Sequence, residues 1–106
     1  MINSILVKAL KPLGVPVSWQ MYSGAATSYI TFFCYNEQGE AWAENEEIAT
    51  GYYVQVDLWS KGDDSSLVDQ VKSVLELEGF KRTTAQDLYE SETQIFHKAM
   101  RFSYVI

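Results

Sequence analysis

The chain has 106 residues, 47% of them hydrophobic and 14% aromatic, enough for one domain with a real core and too little for two. Fourteen acidic residues against eight basic ones give a net charge of −6, which argues against a free-standing nucleic-acid binder. A single cysteine, Cys34, excludes an intrachain disulfide and points to synthesis in a reducing compartment. No apolar stretch approaches the roughly 18 residues needed to span a bilayer, and the N-terminal stretch is too short and interrupted for a signal peptide, so the chain reads as soluble with no membrane partner.

Ile2, Ile5, Leu6, Ala9 and Leu10 form one stripe of a short amphipathic helix that Pro12 and Gly14 stop. Val15 to Met21 alternates as a first strand, with Pro16 at its start or on a sheet edge. Tyr22 to Thr27 is a loop. Ser28 to Asn36 is a strand rich in aromatic and β-branched residues, apolar on both faces and so expected to be central or doubly covered. Cys34 within it is expected to be buried. Asn36 to Gly39 has turn chemistry, and Glu40 to Asn45 reads as a short strand or a mobile loop.

Thr50 to Trp59 has the clearest alternation. Tyr52, Val54, Val56 and Leu58 belong to the core face, and Tyr53, Gln55, Asp57 and Trp59 to the other. After a turn at Ser60 to Asp64, Ser66 and Asp69 suggest a capping box, and the next helix carries Leu67, Val68, Val71, Val74 and Leu75 on one stripe. Gly79 fits the left-handed residue after that helix. Phe80 to Tyr89 reads as a bent, polar strand, and Gln94 to Ile106 as a long closing strand antiparallel to it. The expected class is α+β, a mostly antiparallel sheet with two helices packed on one face, in the order α-β-β-(β)-β-α-β-β.

Chemistry-bearing constellations are sparse. His97 is the single histidine and shares a strand face with Ala99, Arg101 and Ser103, which leaves only a remote Cys34–His97 pairing as a nucleophilic site. One Cys and one His are too few for a usual zinc site, the glutamates lack EF-hand spacing, and no glycine-rich nucleotide loop is present. No cofactor is expected. From Met21 to Trp59 there is no Lys or Arg, while Glu37, Glu40, Glu44, Glu46, Glu47 and Asp57 fall there. The plain account is a solvated acidic loop; the sharper one is a surface that repels an anion. Tyr22, Trp42, Tyr53 and Trp59 exceed what one small core holds and are candidate interface aromatics.

From Tyr52 onward, a strand ending VDLWSK, a polar turn, an amphipathic helix, a polar strand through Glu90, Glu92 and Thr93, and an arm ending MRFSYVI together resemble the tail-completion proteins of long-tailed bacteriophages. These are also called tail terminators or tail-to-head joining proteins. The N-terminal half resembles the family in organisation only. The resemblance implies a non-enzymatic virion protein, made in the bacterial cytoplasm, that forms an oligomeric ring, commonly hexameric, on the tail tube. Its implied partners are further copies of itself, the tail tube protein and a head-completion or connector protein, and DNA passes through without specific binding. On this footing Glu37, Glu40, Glu44, Glu46 and Glu47 form either a DNA-repelling lumen loop or an outward docking loop. A head-completion neck protein, a small protein-binding module and a small enzyme using Cys34 or the acidic cluster are the alternatives.

Overall fold

The first helix, α1 (Ile2–Leu10), buries Ile2, Leu6, Ala9 and Leu10, the stripe that its spacing requires. Pro12 turns its end into a single 3-10 turn, Lys11–Leu13, and Gly14 leaves that turn in the left-handed conformation, φ 80°. The computed structural model describes residues 2–90 and 94–106, so Glu92 and Thr93 lie outside the described residues. Five strands follow, β1 (Val17–Trp19), β2 (Ser28–Ala43), β3 (Glu46–Ser60), β4 (Lys81–Glu90) and β5 (Ile95–Val105), with α2 (Ser65–Leu77) between β3 and β4. The sheet order is β1-β2-β3-β5-β4, antiparallel except for the β1–β2 pair. The α+β expectation is met, and both helices pack on the same side of the sheet.

The core is that side. Ile30 and Phe32 of β2, Val54, Val56 and Leu58 of β3, and Met100 and Phe102 of β5 meet Leu6 and Leu10 of α1 and Val71 and Leu75 of α2. Burying a Leu or Phe side chain contributes about 1.5–3 kcal/mol, so this layer is what holds two short helices in place. Among the described residues the other side of the sheet carries no helix.

Several expectations are corrected. The first strand is only three residues long rather than running from Val15 to Met21; it does lie at the edge, as Pro16 implies, and the Pro16 carbonyl just before it accepts the Ile30 amide at 2.8 Å. Asn36 to Gly39 is not a turn and Glu40 to Asn45 is neither a strand of its own nor a loop; β2 runs straight through to Ala43. Cross-strand pairing with Tyr52, Gly51 and Thr50 overrides the local turn chemistry. β2 is central, between β1 and β3, as one of the two expected accounts has it, and its apolar residues on both faces reflect the core on one side and an aromatic open face on the other. Cys34 is half-buried rather than buried, packed at the margin of the core with its thiol donating to the Asn36 carbonyl at 3.3 Å.

At α2 the capping box is absent. Asp64 is the N-cap without a side-chain bond, and Asp63 instead accepts the Ser65 amide at 3.0 Å and the Ser65 hydroxyl. These two bonds hold the Asp63 carboxyl below its ordinary value. The helix ends in a Schellman motif: Phe80 N–H bonds to Leu75 C=O at 2.9 Å and Gly79 N–H to Glu76 C=O at 3.0 Å, with Gly79 at φ 104°. The bend expected in the next strand is a register shift at Thr83, between Arg82 and Thr84.

Candidate functional site

The strand alternation of β3 puts Tyr53, Gln55, Asp57 and Trp59 on the side without helices. There they stand opposite Ser103, Arg101, Ala99 and His97 of β5, and Tyr29, Thr31 and Phe33 of β2 flank them. Trp59 stacks on His97 with ring centroids 3.7 Å apart, Tyr29 lies 6.0 Å beyond Trp59, and Tyr22 stacks on Tyr29 at 4.4 Å. An aromatic row thus crosses β2, β3 and β5. Beside it Asp57, only 4% exposed, pairs with His97 Nε2 at 2.6 Å and accepts Gln55 Nε2 at 2.9 Å.

The network continues outward. Gln55 Oε1 accepts Arg101 Nε at 3.1 Å, and the Arg101 guanidinium lies 4.6 Å from the centre of the Tyr35 ring. Trp59 Nε1 donates to the Thr31 hydroxyl at 3.0 Å. Among the described residues no buried side-chain nitrogen or oxygen lacks a partner. The face is therefore a satisfied, rigid platform with a shallow depression of about 370 Å³ where Thr84, Gln86 and Leu88 of β4 adjoin His97 and Arg101. Cys34 points to the helix side and His97 to the open side, so the sheet separates the pair. No group of three metal-ligating side chains comes together among the described residues, and none of their helices is long and apolar enough to cross a membrane.

A second surface is a hairpin arm. β5 accompanies β3 only as far as Gly51, where Thr50 and Ile106 exchange two backbone bonds of 2.9 and 3.0 Å. Beyond that point β2 and β3 run on as a two-stranded ribbon to a tip at Glu44 and Asn45, both left-handed at φ 51° and 66°. Two consecutive positive φ values are those of the tight hairpin turn whose twist matches the strands. A register shift after Cys34, still within the sheet, precedes the ribbon, and two more, after Gly39 and Ala41, add twist to it. The arm explains why the radius of gyration, 14.9 Å, exceeds the roughly 13 Å of a compact chain this size, and why the molecule is 53 Å long.

Glu40, Glu44, Glu46 and Glu47 lie on this arm, on strands or at the tip rather than in a loop, while Glu37, opposite Tyr52, lies where the sheet gives way to it. Glu40 anchors its base, accepting the Tyr53 hydroxyl and Gln38 Nε2, and this hydrogen bond pushes the Tyr53 phenol up from its ordinary value. Glu47 accepts the Thr50 hydroxyl at 2.6 Å. Trp42 is 62% exposed and lies over Gly39, where an added Cβ would sit 2.5 Å from the indole.

The four interface aromatics thus divide. Trp42 rides the arm, Tyr53 stands at its root, and Tyr22 and Trp59 belong to the row on the open face. Sequence reading missed the Asp57–His97 pair, Thr31, Gln55 and Arg101. The available signal was a carboxylate between Gln55 and Trp59 on a regular strand, with the single histidine on the closing strand. No protein-family model matches the chain, and no curated protein matches it in sequence.

Proposed function

We propose that this chain is a structural assembly protein of a long-tailed phage or prophage that caps the tail tube as an oligomeric ring and joins it to the head. The observation that carries this reading is the arm: a glutamate-rich ribbon that extends beyond the sheet and contributes no large side chain to the chain's own buried core. A ribbon ordered by cross-strand pairing, with Trp42 and Ile48 exposed at 62% and 64%, suits contact with another macromolecule better than it suits chemistry. The open face adds a rigid aromatic platform of the kind protein interfaces use, and the family resemblance of residues 52–106 supplies the kind of assembly.

Electron microscopy of particles from a phage lacking the gene tests this. Tails of irregular or excessive length, unattached to heads, are expected; tails of normal length would refute capping. A head-completion role would instead leave normal free tails beside heads that lose their DNA.

A further inference from the structure

A groove of about 550 Å³ lies between the outer face of α1 and the short edge strand β1, lined by Val7, Trp19 and Phe32 with Lys8 and Lys11 at its rim. Trp19 is 55% exposed and Val7 40%, so the groove presents apolar surface with two lysines along one side. We propose that this groove receives the hairpin arm of a second copy of the chain.

Three observations choose that occupant. Charge is segregated along the chain: residues 1–36 contain Lys8 and Lys11 and no Asp or Glu, whereas residues 37–60 contain six acidic side chains and no Lys or Arg. The arm also carries two large exposed apolar side chains, Trp42 and Ile48, set among those glutamates, which matches an apolar groove with a basic rim. Such an arrangement, an aromatic anchor in a pocket with charges at the periphery, is how stable contacts exclude water and select their partner.

The third observation is geometric. β1 pairs with β2 at Ile30 to Phe32, whereas the arm ends at Ala43. Eleven residues of extended chain separate Phe32 from Ala43, about 35 Å at ~3.3 Å per residue. The two complementary surfaces therefore sit at opposite ends of the sheet, and a copy cannot fill its own groove. A contact between unlike surfaces of identical copies is heterologous and propagates head to tail, closing into a ring when the rotation per copy permits. This contact deepens the assembly reading above and rests on it.

Sedimentation of four proteins tests the contact: wild type, an arm variant (Glu44→Lys, Glu46→Lys, Glu47→Lys), a groove variant (Lys8→Glu, Lys11→Glu), and an equimolar mixture of the two variants. Wild type should associate with rising concentration, and more weakly as salt screens the rim charges. Each variant alone should associate about tenfold more weakly or worse. The mixture should recover, because each reversed arm then meets a reversed groove. Trp42→Ala should weaken association without altering the circular dichroism spectrum. Overturning results are a wild-type chain that stays monomeric throughout, or a mixture in which both variants sediment as they do alone. Either leaves the tail-length assay of the gene deletion as an independent test of capping, and normal tails in that strain would not undo a restored mixture.

Discussion

Asp57 and His97 should behave as one energetic unit, and a double-mutant cycle measures this. His97→Phe keeps a ring to stack on Trp59 but removes the nitrogen 2.6 Å from the carboxylate, leaving buried Asp57 with Gln55 alone. Asp57→Leu keeps the volume but strands His97 and Gln55 without their acceptor. A charge-assisted hydrogen bond contributes about 1.5–3 kcal/mol and breaking a buried pair costs about 3–5, so each single change should cost about 3 kcal/mol. The double variant exchanges a paired polar couple for an apolar one, and should cost no more than either single change. The coupling is then about 3 kcal/mol or more. Urea unfolding reads it directly: at a slope of about 1.5 kcal/mol per molar, each single variant loses about 2 M in midpoint and the double variant loses no more. Additivity within about 0.5 kcal/mol would refute the pairing as a source of stability.

Two further outcomes follow from the ends of α2. Gly79→Ala forces a side chain onto φ 104°, where its Cβ would have ordinary contact with Tyr104, so backbone strain is the main effect. A loss of about 1–2 kcal/mol in urea is expected, and an unchanged midpoint would refute the strain. Because the Ser65 bonds hold the Asp63 carboxyl below its ordinary value, its contribution is present above the ordinary range of Asp and is lost as pH falls through the folded value. The Ser65 amide resonance should therefore titrate with a midpoint below 3.8, and a midpoint at or above that value would show that the bond does not favour the ionised form.

Much of the architecture is legible where one face of an element is buried. The alternation of Tyr52 to Leu58 and the stripes of the two helices follow directly from a core on one side of a sheet, and Gly79 marks a helix end because few other residues adopt its backbone. The arm is not legible for the same reason. It is solvated on both faces, so no alternation marks it, and the Asn36 to Gly39 run that leads into it favours a turn locally. What makes them a strand is their register with Gly51 and Thr50, which no local window contains. The box at Ser66 and Asp69 fails because the helix begins at Ser65, which puts Ser66 inside the first turn rather than at the N-cap. The acidic and aromatic residues were found by composition, but their division between an arm and an open face depends on the sheet. The Asp57–His97 pair spans 40 positions and becomes visible only once β5 lies beside β3.

That placement of β5 also governs how the protein comes off the ribosome. The strand made last among the five occupies an interior slot, between β3 and β4, so β4 has no neighbour to pair with until residues 95–105 have been synthesised. The β2–β3 hairpin closes over its two-residue tip and can form early, but the edge of β3 that β5 occupies stays open meanwhile. At translation rates of about 5–20 residues per second, the missing strand takes roughly a second to make. During that interval β3 carries an unpaired edge, and β5 then supplies the partner strand for both β3 and β4.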